Sequence, residues 1–227
     1  MRTTETPGEF LRAHGRTLLV LFVGMLVPLA LFAYLAQNVA QGGGFAFERT
    51  FEQQVRATRA AVLDTTARAL DVIGGTWVML GVGVVLSVAL YRIRHRLGWF
   101  SLSVLLGATL LANALRPVFE RPRPAGQTLL DEPGASFPSG HVMVATALVI
   151  VLSAALWPTR ARTLVLLVGG VYVLAMMWSR VYGGVHHVSD VVASVLLALA
   201  WGVGLTRATH AHQVLRPDFF RTSSKRS

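Results

Sequence analysis

Chemically useful side chains collect in three short stretches of this 227-residue sequence, and the last of them holds two adjacent histidines. In WSRVYGGVHHVSDVV, residues 178–192, Asp190 follows His186 by four residues and His187 by three. Both intervals bring residues to one face of a helix. A carboxylate that accepts a hydrogen bond from Nδ1–H fixes the imidazole tautomer and leaves Nε2 as a base or nucleophile. Spacing alone leaves both histidines as candidates.

A second stretch, FPSGHVMVATALVIVL at residues 137–152, predicts the start of an apolar helix. Pro138 and Ser139 are typical of a helix start, and Gly140 leaves the first backbone N–H groups unobstructed. Free N–H donors and the positive end of the helix dipole make such a terminus an anion site. His141 would project from the first turn, where it can give or take a proton near neutral pH.

The third stretch is RPVFERPRP, residues 116–124, in which three arginines alternate with three prolines. The prolines predict an extended, stiff backbone rather than regular helix. Arg116 and Arg123 would present planar forks of donors, which suit a phosphate dianion. Arg180 adds a further cation before the two histidines.

The elements that position these groups are predicted to be membrane-spanning helices. The chain is 53% hydrophobic and only 14% charged, which is far from the composition of soluble domains. Continuous apolar runs favour helices over the alternating strands of a barrel. Six runs are long enough, or nearly so, to cross a bilayer: about residues 18–36, 72–91, 97–115, 140–157, 163–178 and 188–206.

Charge predicts the orientation of this bundle. The termini and the turns after the second and fourth runs carry 13 of the 21 Lys and Arg residues and only 3 of the 11 Asp and Glu residues. By the positive-inside rule both termini are cytoplasmic, and all three chemical stretches face the extracytoplasmic side. The basic residues are scattered over several loops, which argues against nucleic-acid binding. The absence of cysteine excludes disulfides and thiolate chemistry.

Two segments lie outside the spans. Residues 45–70 carry an apolar stripe that includes Phe47, Phe51 and Val55 opposite charged residues, which predicts one amphipathic extracytoplasmic helix. We expect it to pack on the end of the bundle or lie in the headgroups, with a lid for an amphiphilic substrate as the alternative. Residues 1–206 thus form one transmembrane domain, and residues 207–227 form a polar, basic cytoplasmic tail.

Together the three stretches resemble the signature of the type 2 phosphatidic acid phosphatases, the lipid phosphate phosphatases. R-x6-R-P, P-S-G-H and S-R-x5-H-x3-D occur in that order over residues 116–190. This family shares its active site with bacterial acid phosphatases and vanadium haloperoxidases. Arg116 stands where the family usually has lysine, which keeps the cation but enlarges its head. The x5 interval from Arg180 favours His186 over His187 as the family's nucleophile.

The resemblance implies a mechanism. His186 would attack phosphorus and form a phosphohistidine, with Asp190 orienting its ring, while His141 would protonate the leaving group and then activate water. The phosphate oxygens would be held by five groups: Arg116, Arg123, Ser139, the Gly140 N–H and Arg180. No metal or other cofactor is implied. Glu120, Asp131 and Glu132, the acidic residues of the second outer loop, are expected to be solvated rather than to hold Mg²⁺.

The expected substrate is a lipid phosphate in the cell (inner) membrane, with the site on its extracytoplasmic face. Phosphatidic acid, phosphatidylglycerol phosphate and a polyprenyl pyrophosphate are the candidates, and surrounding membrane lipids are the other expected partners. A lipid phosphotransferase with the same phosphohistidine is the main alternative. A vanadium-dependent peroxidase and a non-enzymatic transport or interaction protein are further alternatives, but the six spans argue against the first and the joint presence of both histidines and Asp190 against the second.

Overall fold

The computed structural model describes residues 14–15, 17–42, 44–157 and 159–209, and no strand occurs within these ranges. The last 18 residues of the predicted tail, 210–227, lie outside the described part. The described helices are α1 (Thr17–Ala40, with a π-helical turn at Phe22–Leu26), α2 (Ala46–Ala57), α3 (Ala61–Ile73), α4 (Thr76–Ile93), α5 (His95–Phe119), α6 (Gly140–Leu156), α7 (Arg162–Tyr182) and α8 (Val188–Ala208).

Five of these helices, α1, α4, α5, α7 and α8, are long and apolar enough to cross a membrane. The sixth apolar run forms α6, which is shorter at 17 residues. Every predicted span is therefore a helix, and the ends differ from the prediction by four residues or fewer. The chain is an all-helical, multi-pass membrane protein.

Helix α6 lies at the centre of the bundle and packs against α5, α7 and α8. Close approach between the helices depends on glycine. A Cβ at Gly107 of α5 would lie 2.3 Å from the Trp201 ring of α8, and a Cβ at Gly202 would lie 2.8 Å from Ile150 of α6. Small residues let membrane helices approach closely and gain dispersion contacts. This packing fixes the N-terminus of α6 beside the ends of α5 and α7.

The segment predicted as one amphipathic helix is two helices, α2 and α3, which an extended Ala60 separates. Thr58 Oγ1 donates to the carbonyl of Val55, 2.7 Å away, and so offers the backbone an alternative to continued helix. The buried face of α2 is its acidic face and not its apolar stripe. Glu48 and Glu52 are 2% exposed, whereas Phe47 and Phe51 are exposed. Buried cations and N–H donors below α2 account for this inversion.

The arginine-rich stretch is helical for longer than its prolines suggest. Helix α5 continues through Pro117 to Phe119, and Glu120 ends it in the left-handed conformation with φ 44°. Pro117 has no N–H to donate to the preceding turn, and the helix ends two residues after it. Arg116 consequently projects from the last turn of α5, and only residues 120–124 form the irregular segment that was expected.

Candidate active site

Ser139 and Gly140 form the N-terminus of α6. Ser139 precedes the helix in an extended conformation, and its N–H donates to Ser194 Oγ at 2.8 Å. A Cβ on Gly140 would lie 3.0 Å from Arg116 Nη2, so glycine lets the guanidinium approach the helix end. The Ser139 hydroxyl is buried and has no hydrogen-bond partner among the described residues. A buried donor without a partner is rare and points toward a site for an anion.

His186 lies in the turn between α7 and α8, where Gly184 has φ 77° and the chain reverses direction. Its side chain is completely buried. The Nδ1 atom lies 2.7 Å from the Ser136 carbonyl oxygen and 3.5 Å from Asp190 Oδ2. Two acceptors therefore orient the ring, of which the sequence indicated only the carboxylate.

His187 turns away from this position. Its Nδ1 lies 2.9 Å from Glu52 Oε1 of α2, and its Nε2 lies 3.3 Å from the Pro122 carbonyl oxygen. Its backbone N–H donates to Asp190 Oδ2 at 2.8 Å and so caps α8. The two histidines that spacing left equivalent thus have separate surroundings.

Three arginines surround one carboxylate, that of Glu132. Arg116 Nη2 lies 3.3 Å from Oε1, Arg123 Nη1 lies 3.3 Å from Oε2, and Arg180 Nη1 lies 3.9 Å from Oε2. Arg180 is completely buried, yet neither of its terminal nitrogens meets hydrogen-bond geometry with any described residue. The predicted phosphate-binding cations therefore converge on a single point.

Both candidate catalytic histidines face the same carboxylate. His186 Nε2 lies 3.1 Å from Glu132 Oε2, and His141 Nδ1 lies 3.7 Å from Oε1. The expectation that Glu132 is solvated is wrong, since its side chain is only 14% exposed. Glu120 and Asp131 are exposed, as expected. A carboxylate in a polar, Gly- and Pro-containing loop gives no sequence signal that would distinguish Glu132 from Asp131.

Burial alone would raise the pKa of the Glu132 carboxyl, but the hydrogen bond with His186, the charge of His186 and the charge of Arg123 bring the pKa well below its usual value. Burial alone would likewise lower the pKa of His186, yet its contacts with Asp190 and Glu132 raise that pKa above its usual value. Both shifts are in the direction that favours an ionised carboxylate beside an imidazolium.

Asp71, at the end of α3, is a second acidic side chain that the sequence did not indicate. Its Oδ1 lies 2.8 Å from Arg180 Nη1 and 3.5 Å from His141 Nε2. It thus contacts the two groups that come from α7 and α6. Asp71 belongs to no motif, and α3 was predicted only as part of an amphipathic stripe.

Asp190 also belongs to a buried ionic network. Arg121 donates to Asp190 Oδ1, to Ser189 Oγ at 2.7 Å and to Glu48 Oε2 at 2.8 Å. Glu48 also accepts from the Ser189 backbone N–H at 2.8 Å. Burial would raise the pKa of Glu48, but the bonds from Ser189 and the charge of Arg121 lower it. The network connects α2 to the beginning of α8.

One group of side chains among the described residues has the spacing of a metal site. Ligand atoms of Glu48, Glu52 and His187 lie within 4.8 Å of one another. However, both oxygens of Glu48 already accept hydrogen bonds, and the Arg121 guanidinium binds one of them. A guanidinium at this position opposes a second cation electrostatically, so these residues fit an ionic network better than a metal ion.

The side chains around Glu132 are called the cage: Arg116, Arg123, His141, Arg180 and His186. A cavity of about 420 Å³ leads to the cage and lies between the ends of α4, α5 and α6. Its polar end includes Arg116, Glu132 and His141. The remaining lining is mixed: Trp77, Val78 and Val144 are apolar, whereas Thr109 and Asn113 are polar. The cavity therefore suits a ligand with an anionic head and an apolar body.

Fold and site together define a class: a helical membrane protein whose arginines and histidines gather at one end of the bundle around an anion position. A comparison with protein families identifies it further, because residues 96–213 match the PAP2 superfamily. The chain belongs to the PAP2 superfamily. It is a multi-pass membrane phosphatase of the phosphoric monoester hydrolase class.

Individual relatives agree with this assignment. Phosphatidylglycerophosphatase B of Bacillus subtilis is 27% identical over 186 residues, which cover 77% of this chain and 91% of that protein. The crystal structure of the first transmembrane PAP2 type phosphatidylglycerolphosphate phosphatase from Bacillus subtilis superposes with a TM-score of 0.72 at 25% identity, over 82% of this chain and 95% of that one. Aquifex aeolicus LpxE shares the fold, with a TM-score of 0.61 at 23% identity over 72% of this chain and 96% of that one.

Proposed function

We propose that this protein hydrolyses the phosphate ester of a membrane lipid through a phosphohistidine on His186, without a metal ion. The observation that carries the proposal is the convergence of Arg116, Arg123, Arg180, His141 and His186 on one buried anion position. Phosphoryl transfer needs mainly positioning and stabilisation of charge on the equatorial oxygens, which three guanidinium groups supply.

In the first step Nε2 of His186 attacks phosphorus and the bond between phosphorus and the lipid oxygen breaks. His141 donates a proton to the departing oxygen. In the second step His141 takes a proton from water, the resulting oxygen attacks phosphorus, and the bond to Nε2 breaks to release inorganic phosphate. Asp190 and the Ser136 carbonyl hold the His186 ring throughout, since both lie on its Nδ1 side.

Ser139 and Gly140 complete the proposed cage. The Ser139 hydroxyl, buried without a partner among the described residues, is available to a phosphate oxygen. The Gly140 N–H belongs to the first turn of α6, whose dipole favours an anion at that end. Because the Arg116 head approaches Gly140 closely, arginine can serve here where relatives of this type usually carry lysine.

The lipid substrate is inferred from the shape of the cavity and from topology. We propose that α6 is a sixth span, that both termini are cytoplasmic and that the cage faces the extracytoplasmic side of the cell (inner) membrane. The apolar part of the cavity would then lie at headgroup and upper acyl depth. Phosphatidylglycerol phosphate, the substrate class that the Bacillus relatives' names give, is the first candidate, followed by phosphatidic acid and polyprenyl pyrophosphate.

Phosphate release by the purified protein in detergent, with EDTA present, tests this function. The three lipid phosphates are compared with glycerol 3-phosphate, which has the phosphomonoester of phosphatidic acid and phosphatidylglycerol phosphate but no acyl chain. We expect turnover of at least one lipid substrate and little turnover of the soluble ester. A lack of turnover for all lipids would contradict the phosphatase assignment, and activity that EDTA abolishes would contradict metal independence.

A further inference from the structure

The contacts of Glu132 are those expected of a bound phosphate group. Its two oxygens face three arginines and two histidines at 3.1 to 3.9 Å. A carboxylate has the same charge sign as phosphate and accepts the same bidentate bonds from guanidinium groups. A substrate phosphate and this side chain therefore cannot occupy the cage together.

The contact between Glu132 and His186 also determines the protonation of His186. A carbonyl oxygen can only accept, so Nδ1 donates its proton to Ser136 at 2.7 Å. The ionised Glu132 carboxylate also accepts, so Nε2 donates to it at 3.1 Å. An imidazole that donates from both nitrogens is an imidazolium, and it has no lone pair with which to attack phosphorus.

The loop that carries Glu132 is anchored rather than loosely placed. The Leu129 N–H donates to the Gly183 carbonyl at 2.9 Å, and the Leu130 side chain is buried. Arg59 of the α2–α3 connection donates to the Gln127 carbonyl at 3.0 Å. These contacts bring the following residues over the cage, so the position of Glu132 is set by the fold of the loop.

We propose that Glu132 is an internal competitor of the substrate: its carboxylate fills the phosphate position and holds His186 as a non-nucleophilic imidazolium until a phosphate group displaces it. This inference rests on the proposed function. Phosphate carries more charge and more acceptor oxygens than a carboxylate, so it can replace the Glu132 carboxylate as the partner of the three arginines. Once Glu132 has left, Nε2 releases its proton to solvent and presents its lone pair.

The test uses inorganic phosphate as the probe and isothermal titration calorimetry of the full chain in detergent. Glu132→Gln keeps the size of the side chain and removes its charge, so the cage is easier to vacate. We expect phosphate to bind this variant about tenfold more tightly, or better, which corresponds to about 1.4 kcal/mol. Asp131→Asn is the matched control, because it removes one charge from the exposed neighbour in the same loop. Its affinity should remain within about twofold of the unmodified chain.

A double variant, Glu132→Gln with Arg180→Ala, distinguishes a failure of the proposed competition from a failure of the proposed phosphate site. Loss of phosphate binding in the double variant would locate the probe in the cage. Equal binding by Glu132→Gln and the unmodified chain, or weaker binding by the variant, would overturn competition while leaving the phosphate site intact. Binding that survives Arg180→Ala, or no binding to any variant at millimolar phosphate, would contradict the phosphate site and both proposals with it.

A second readout is the pH dependence of activity, which reports the protonation of His186. A purely structural role of Glu132 would leave this pH dependence unchanged. The groups that face this ring are Glu132 from the loop, Asp190 from α8 and His141 from α6. Because Glu132 raises the pKa of His186, activity is lost as pH falls through that raised pKa. Glu132→Gln should move this acid limb of the kcat/KM profile, which reports the free enzyme, to lower pH. An acid limb at the same pH in Glu132→Gln and in the unmodified chain would contradict the proposal.

Discussion

At the level of single residues, His186 and His187 show how neighbouring side chains of one type acquire different surroundings. The His186 ring is completely buried among Ser136, Asp190 and Glu132. The His187 ring lies against Glu52 of α2 instead. The difference arises because His187 is the N-cap of α8, so its ring projects outward from the helix start while the preceding residue points into the bundle.

Substitution of each histidine by alanine should distinguish the role of His186 from that of His187. We expect His186→Ala to lower the rate of phosphate release by more than about a thousandfold, because it removes the proposed nucleophile. His187→Ala removes contacts with Glu52 and the Pro122 carbonyl, neither of which belongs to the proposed phosphate site, and should retain activity within about tenfold. Initial rates of the purified variants in detergent measure this, with thermal unfolding as the control for folding. Equal losses in two folded variants would remove the assignment of His186.

The site was predictable where its residues adjoin a helix end. Ser139, Gly140 and His141 are read from a helix-start pattern, and Arg180, His186 and Asp190 from the polar interval between two apolar runs. Glu132 and Asp71 were missed because their roles depend on long-range contacts, with α7 and the turn after it, and not on local spacing. Sequence patterns record which face a residue occupies on its own helix, but not which neighbour a loop reaches.

At the level of the helices, α2 shows why an amphipathic pattern does not determine which face is buried. In a soluble protein the phenylalanines would pack inward, but beside a membrane the apolar face has an alternative apolar environment. The acidic face instead finds Arg121 and the N-terminus of α8, which satisfy Glu48. The apolar helices were predictable because continuous apolar runs permit only one element in lipid.

The buried network under α2 should be important for stability. Arg121→Ala removes the guanidinium from two buried carboxylates, Glu48 and Asp190, and leaves them without their cation. We expect the free energy of unfolding to fall by about 3 to 5 kcal/mol, the cost of breaking buried ion pairs. Arg49→Ala, which removes an exposed arginine from α2, should change it by less than about 0.5 kcal/mol. Unfolding by SDS titration, followed by circular dichroism, measures both; equal effects would show that the network contributes nothing.

At the level of the whole molecule, the sequence predicts that charge and chemistry lie at opposite ends of the bundle. The net charge of +10 belongs to the termini and to the turns after the second and fourth apolar runs. The other loops carry eight acidic and eight basic residues, and five of these eight acidic residues form ion pairs. This separation follows from sequence alone, since it needs only the span positions and the loop charges.

Orientation in the membrane can be tested directly because the chain contains no cysteine. Gln127→Cys introduces a thiol at an exposed position of the loop beside the cage, and Thr159→Cys introduces one at an exposed position of the α6–α7 turn. We expect a membrane-impermeant maleimide to label the first variant in intact cells and the second only after lysis, because the Arg-rich turn is retained in the cytoplasm. The reverse pattern would put the cage on the cytoplasmic side and require a cytoplasmic source of the lipid phosphate.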